Sequence, residues 1–426
     1  MQNSQKMPSE GIGMDALPPE RPLRICFYTT RALPKHGGQE VVVDALARKL
    51  VEAGQYVVVL APSSKHASRE FDRSLSYQVV RHPRFISTRW FISLYRRFLI
   101  SLQRSHGFDI IHCHGIYPAG YLAAIGQKHL KTPLVITNHS GNLECDPAWM
   151  NKPVIRERHL FTMASVDALL APNRHTTELL RRLSPESPLI MTMPNGIDLE
   201  SFNTHVPLPS ERFPGLRPGK YALVLSRLRN SKGIDLPIKA LASLRRVQDF
   251  SLVVAGTGHE RTALTRLAET LGLEKRVLFP GWISGSVKLS LLQNALCSVL
   301  PSREAEGFGL VALESFCAGR PVLASRVPGL IEIVSDGSTG LVFERDSVEG
   351  LAQALHTLIA DRDLADRLGA NAKNYSAPYQ WNTIADQHLR LYRSLCGSAR
   401  TRTTRTNAFE QHGCVNRAPY APLAHS

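Results

Sequence analysis

The sequence contains no run of about 18 apolar residues, so it offers no obvious membrane-spanning helix. Its first 22 residues, MQNSQKMPSEGIGMDALPPERP, also lack the apolar stretch of a secretion signal. They read as a flexible tail, and the chain is expected to start and stay in the cytoplasm. There is little cysteine: seven residues, an odd number without a C-x-x-C pair, set in apolar contexts such as RICFYTT and ALCSVLP. That excludes a disulfide framework and predicts reduced, mostly buried thiols. In HCHGIY the alternating His112 and His114 have no further ligands at metal-site spacing, so no metal is expected there. No short-period repeat occurs.

Negative charge is also short. Lysine and arginine total 51 against 36 acidic residues, a formal net charge of +15 with a pI near 9.7. Such a balance predicts a polyanionic partner, which could be nucleic acid, an anionic membrane surface or a phosphate-rich substrate. Nucleic acid is disfavoured, because no recognition-helix motif, zinc cluster or aromatic-basic strand signature accompanies the charge.

Length, 426 residues, suits two domains. From Leu23, short β-branched runs (LRICFYT, YVVVLAP, DIIHCHG, PLVITNH, ALLAPN) alternate with longer amphipathic stretches. Continuous apolar strands between such helices predict a parallel sheet covered on both faces. The pattern closes near residue 200, and the proline-rich NTHVPLPSERFPGLRPGK reads as a linker, residues 201–219. It then restarts with YALVLSRL, SLVVAGTG, RVLFPGW, ALCSVLPS, RPVLASRV and TGLVFER. The expected fold is α/β: two Rossmann-like doubly wound parallel-sheet domains, residues 23–200 and 220–378, facing across a cleft. A final helix, 379–396, would pack through Trp381, Ile384, Leu389 and Leu395 and could cross back to the first domain. Residues 397–426, poor in large aliphatics, read as a disordered tail.

Open parallel sheets bind ligands beyond the carboxyl ends of their strands. Past ALCSVLPS lies SREAEGFGLVALESFCAG, where Ser302 to Gly307 form a loop and Phe308 and Leu310 lead into a helix. Gly307 and Gly309 permit close backbone approach, and the unpaired amides of a helix N-terminus suit a phosphate. Glu314, about 7.5 Å along the axis from Gly309, suits the paired hydroxyls of a ribose. Glu306, on the loop, would reach sugar hydroxyls. After YALVLS, Arg227 and Lys232 are expected over the same cleft, stabilising a departing diphosphate without a metal. In VVAGTGHE, Gly256 and Gly258 lack the third glycine of a dinucleotide fingerprint and are expected to shape the loop below the same phosphates. Asp361 and Asp363 form the sole Asp-x-Asp and read as a solvated helix terminus.

The segment SREAEGFGLVALE resembles the glutamate-seven-residues-glutamate signature of the retaining GT-B glycosyltransferases of family 4. GGQE (Gly37 to Glu40), PNGID (Pro194 to Asp198), SRL with SKG, and FPGW follow in the family's order, so the likeness covers roughly residues 23 to 396. The resemblance implies that Arg227, Lys232, Glu306 and Glu314 bind a nucleotide-sugar donor. It adds the loop of Gly37 and Gly38, and main chain at Trp282 and Ile283 for the base. His139, in VITNHSGN, matches a histidine that hydrogen-bonds the transferred sugar, although Ser140 intervenes before Gly141. The implied activity is metal-independent, front-face hexose transfer with retention, in which the leaving phosphate helps deprotonate the acceptor. UDP-linked hexoses and GDP-mannose both stay open, and no cofactor beyond the co-substrate is implied. A sugar-nucleotide epimerase or a non-catalytic sugar-nucleotide binder on the same architecture is the alternative.

Between Arg81 and Gly107 the chain carries no acid, while Arg84, Arg89, Trp90, Arg96 and Arg97 lie among further aromatics. A helix over Thr88 to Arg104 would set a basic aspect beside an apolar one. Two readings stand: a membrane-surface element for a lipid-linked or cell-envelope glycan acceptor, with the protein peripheral at the inner face of the cytoplasmic membrane, or a core helix with a solvated basic edge.

Overall fold

A computed structural model describes residues 21–34, 37–64, 67–83, 89–139, 152–185, 187, 189–244 and 247–402. It contains two sheets, each wholly parallel. The first has seven strands: β1 (Arg24–Thr29), β2 (Tyr56–Pro62), β3 (Gln78–His82), β4 (Ile110–His114), β5 (Leu134–Thr137), β6 (Ala168–Ala171) and β7 (Ile190–Thr192). The second has six: β8 (Tyr221–Leu225), β9 (Ser251–Ala255), β10 (Val277–Gly281), β11 (Cys297–Leu300), β12 (Val322–Ser325) and β13 (Gly340–Phe343). Every residue of β4, β5, β6 and β12 is buried, as continuous apolar runs with helices on both faces require.

The strand orders are β3-β2-β1-β4-β5-β6-β7 and β10-β9-β8-β11-β12-β13. Both reverse direction once, at the β1/β4 and β8/β11 pairs, and the loops leaving those strands diverge to open a crevice. Helices flanking the sheets include α1 (Gly38–Glu52), α2 (Arg89–His106), α3 (Arg174–Leu183), α4 (Gly285–Asn294), α5 (Leu310–Cys317), α6 (Arg362–Ser376) and α7 (Trp381–Arg402).

Helix α7 crosses back onto the first sheet. Trp381, Ile384, Leu389 and Tyr392 are buried in one cluster with Ile25, Phe27, Leu46 and Val135. The return is pinned where Ile197 donates its amide to the Tyr379 carbonyl at 2.7 Å, and the backbone of Gly196 lies against the Trp381 ring. Gly196 and Ile197 of the Pro-Asn-Gly-Ile-Asp stretch make these contacts. The helix continues to Arg402, past residue 396 where its apolar pattern ends, so residues 397–402 are helical rather than part of a disordered tail. Between the sheets, the Gln293 side chain donates to the Phe202 and Thr204 carbonyls and Asn294 donates to that of Val206, holding the chain that joins them. No described helix is long and apolar enough to cross a membrane.

Candidate functional site

The loop after β11 is built for rigidity. Arg303 donates to Asp235 at 2.9 Å, to Asp346 at 2.6 Å and to the Asn230 carbonyl at 2.9 Å, tying the loop to the segment after β8. Glu306 takes its backbone position from an amide bond to the Pro328 carbonyl at 3.0 Å. Its carboxylate accepts from Lys232 Nζ and Ser302 Oγ. Lys232, predicted from the strand-end rule, therefore does reach the loop of Glu306. Gly309, in the left-handed region at φ 80°, turns the chain into α5 without the steric penalty a side chain would incur. Phe308 is buried in one cluster with Ile197 and Leu313, and the first amides of α5, as at any helix start, have no intrahelical acceptor.

One turn into α5, Glu314 accepts from Lys288 Nζ of α4 at 2.5 Å through Oε1. Its Oε2 is buried and has no partner among the described residues. A buried carboxylate oxygen without a donor is costly, so a ligand donor is the natural complement.

Arg227 leaves β8 at the same switch point. It is solvent-exposed by area but crowded, and loss of hydration, with smaller contributions from Arg229 and Arg31, lowers its pKa below the usual arginine value. Glu306 and Glu40 pull in the opposite direction. The involvement of Arg31 and Glu40 brings the first domain's β1–α1 connection into the field of Arg227. Gly256, at φ 142°, lies so close to the β8 loop that an added Cβ would fall 1.8 Å from the Ser226 carbonyl oxygen. Gly258 packs likewise on Leu228. These glycines pack closely against the residues on either side of Arg227. Trp282 is about half exposed and Ile283 is buried just past β10.

On the facing side, Gly37 and Gly38 start α1. Gln39 donates to Thr29 Oγ1 at 3.0 Å and to the His114 carbonyl at 2.8 Å, which binds the β1 loop to the end of β4. Glu40 is buried, with its carboxylate folded over Gly37. Gly38 faces Leu310 across the crevice: an added Cβ would meet that side chain at 3.8 Å.

Histidines line the end of the first sheet's switch point. His139 Nε2 lies 3.0 Å from His114 Nδ1, and their rings stack with 5.3 Å between centroids. His112 contacts Tyr392 of α7 at 2.6 Å and Thr137 at 2.7 Å, and stacks on His114. Burial strips hydration from all of them: the pKa of His139 falls to about 4, as does that of His388, and His112 and His114 lie well below 6.5. The HCHGIY histidines are thus partners of rings and hydroxyls. Asp361 caps α6 by accepting from the Leu364 amide at 2.8 Å.

Asn173 and Glu332 carry hydrogen bonds between the domains. Asn173 caps α3 through Oδ1, while its Nδ2 donates to the carbonyls of Glu306 at 3.0 Å and Gly307 at 2.7 Å. Glu332 accepts from the amides of Arg174 and His175 at 2.7 and 2.9 Å. Sequence reasoning missed Asn173, Glu332 and Lys288, and gave Glu40 only as the end of GGQE, with no role of its own. The helix-start signal of PNRHT and the acid three residues after Gly37 were the available hints.

The predicted residues after β8 and β11 gather on one wall, with Lys232 on Glu306 and Lys288 on Glu314. Gly37, Gly38 and His139 stand at the first sheet's switch point, joined to that wall by the Asn173 bridge. The basic segment lies elsewhere. Arg84 is outside the described residues, as are the side chains of Arg89 and Trp90. Arg96 and Arg97 lie on α2 and line a cavity of about 290 Å³ with Ile100, Ser101, Arg104 and His129. The apolar aspect of α2, with Ile92, Tyr95 and Leu99, is buried against the first sheet. Those three side chains are therefore not free to enter a bilayer, while Leu94 is exposed on the outward side with Arg97 and Arg104.

Residues 36–201 match the Glycosyltransferase Family 4 model and residues 211–375 the Glycosyl transferases group 1 model. A GDP-mannose-dependent alpha-(1-6)-phosphatidylinositol monomannoside mannosyltransferase of Mycolicibacterium smegmatis is 28% identical over 82% of this chain and 93% of its own. The glycogen synthase of Mycobacterium tuberculosis is 30% identical over 69% of this chain and 70% of its own. Anabaena HepE, solved with UDP, shares the fold at a TM-score of 0.73 and 21% identity, covering 87% of this chain and all of that one (100%). With both sheets ending on the paired crevices that GT-B enzymes share, this chain belongs to the group 1, family 4 glycosyltransferases.

Proposed function

We propose that the protein transfers a hexose, with retention, from a UDP- or GDP-linked donor to a hydroxyl of a lipid-linked, glycolipid or cell-envelope glycan acceptor. The observation that carries this reading is Glu314, whose buried Oε2 lacks a donor one helical turn beyond an amide-rich helix start. A ribose diol supplies two donors and the attached diphosphate suits the amides of α5. Arg227 and Lys232 then neutralise the diphosphate, and Lys232 shifts from or shares its contact with Glu306. Glu306, His139 and the Gly37–Gly38 turn border the sugar, and the main chain at Trp282 and Ile283 holds the base.

In the reaction the bond between the anomeric carbon and the diphosphate oxygen breaks, its electron pair leaves with the nucleoside diphosphate, and the acceptor oxygen bonds the same face. The acceptor's proton passes to the departing phosphate. The chain's residues bind and orient, and fixed cations and amides stabilise the growing charge without reorganising. The GDP-mannose dependence of the mycobacterial relative and the UDP bound to HepE support GDP-mannose and a UDP-sugar as donors to try first.

Incubation with a panel of radiolabelled sugar nucleotides tests the class. Transfer, or slow donor hydrolysis, with α-configured product from α-linked donor supports the proposal; interconversion of the sugar means an epimerase, and binding without turnover means a non-catalytic binder. For the acceptor side, the acid-free groove of Arg96, Arg97 and Arg104 favours an anionic membrane surface at its cytoplasmic face. Co-sedimentation with vesicles should rise with acidic lipid and fall in an Arg96→Glu, Arg97→Glu variant. Insensitivity to both removes the membrane from the proposal.

A further inference from the structure

The hydrogen bond between His114 and His139 needs one proton between two ring nitrogens, and the surroundings decide which ring supplies it. His114 is 1% exposed at the end of β4. Its backbone is fixed by pairing with Thr137 and by the Gln39 bond to its carbonyl. Its ring lies between His112, 4.4 Å away and nearly parallel, and His139, with the Phe27 ring edge-on at 4.8 Å. In that enclosure Nε2 of His114 is fully buried and has no partner among the described residues. A protonated Nε2 there would be a stranded donor, which folded proteins avoid more strictly than an unused lone pair. The proton of His114 therefore belongs on Nδ1, where it has an acceptor 3.0 Å away, His139 Nε2.

We infer that His114 is a positioning residue that donates from Nδ1–H to His139 Nε2, holding His139 as the neutral Nδ1–H tautomer so that it can only donate to the ligand. His139 is the partly exposed member of the pair, and its Nδ1 has no hydrogen-bond partner among the described residues, which leaves Nδ1–H for a ligand. It then offers a hydrogen bond to a sugar hydroxyl oxygen and cannot take a proton. The reverse arrangement would leave a bare nitrogen toward the site, fit for a general base. The ligand side of this inference rests on the proposed donor site; the tautomer does not.

The test uses the full chain labelled with ¹⁵N-histidine, read by long-range proton–nitrogen NMR, with His139→Gln identifying the signals. His139 is expected to show a protonated Nδ1 and a bare Nε2. His114→Asn, whose amide nitrogen stands near the Nδ1 position, should keep that pattern and turnover within about threefold. His114→Leu should lose the pattern and lower kcat about tenfold or more, with KM for UDP-glucose or GDP-mannose, whichever is turned over, within about threefold. A bare Nδ1 on wild-type His139 overturns the assignment even if no variant folds. Equal turnover in the Leu and Asn variants overturns the positioning role. Turnover unaffected by His139→Gln overturns the sugar-contact reading alone and leaves the tautomer supported.

Discussion

Replacing Glu314 by glutamine isolates the contact on which donor binding is proposed to depend. The amide keeps the carboxylate's shape and an acceptor for Lys288, now 2.5 Å from Oε1, but sets an N–H₂ group or an uncharged oxygen where the unpartnered Oε2 stands. With a side chain 15% exposed, that oxygen is shielded enough for a charge-assisted hydrogen bond to be worth about 1.5–3 kcal/mol. At about 1.4 kcal/mol per decade, Glu314→Gln should weaken nucleoside diphosphate binding about 10- to 150-fold. Isothermal titration with UDP and GDP reads the change directly. The contact predicts non-additivity as well: the 2′-deoxy nucleotide should bind the wild type more weakly, yet lose little further in the variant. The free variant should melt within a few degrees of the wild type, because the ion pair it loses is partly solvated. A dissociation constant within about twofold of wild type for the nucleotide that the wild type binds would refute the ribose assignment. Equal losses for the ribo and deoxy forms would refute it too.

Asn173→Ala removes a helix cap and two bonds to the Glu306 loop, at a cost of roughly 2–4 kcal/mol. Calorimetry should show a lowered Tm, and turnover should fall more than nucleotide affinity because only the loop's placement relaxes. Gly256→Ala meets the Ser226 carbonyl at 1.8 Å and an unfavourable φ, so the Arg227 loop must move; diphosphate affinity measured by titration should drop about tenfold or more, with strain of about 1–3 kcal/mol visible in denaturant unfolding. Acid should destabilise the fold specifically. His139 and His388 have folded pKa values near 4 against 6.5 unfolded, so the unfolded chain binds more protons in between. Stability present above pH 6.5 should fall toward pH 4 by about 1.4 kcal/mol per pH unit for each such histidine, checked by urea unfolding across that window.

The parts of this molecule legible in the sequence are those written locally. Apolar strand runs, the helix start at Leu310 and the cations after YALVLS all follow from residues within one loop of each other, and the strand-end rule then carries them to one crevice. What escaped depends on chain segments far apart. Tyr392 meets His112 across 280 positions, and Asn173 reaches Glu306 across 133. In PNRHT an asparagine before a helix announces a cap and nothing more, since the same side chain's second bond requires the other domain. The α2 segment shows the converse limit: its periodicity is equally that of a core helix and of a membrane-surface helix, and it takes the sheet beneath Ile92, Tyr95 and Leu99 to show which apolar side chains are buried.

The crevice also shows why its two carboxylates differ in role although both carry a lysine. Glu306 has Lys232 and Ser302 on one oxygen, so its charge is already offset and a ligand arriving there competes for the lysine. Glu314 has its lysine on one oxygen and no partner on the other among the described residues, so on the proposed reading a ligand completes it. Binding energy should therefore concentrate at the nucleoside end, while the sugar end exchanges one set of contacts for another as the diphosphate draws Lys232 away. An interaction that strengthens only when the diphosphate gains charge raises kcat rather than affinity. On this reasoning neutralising Lys232 should cost more in turnover than in the affinity for intact donor, the opposite of the pattern expected at Glu314.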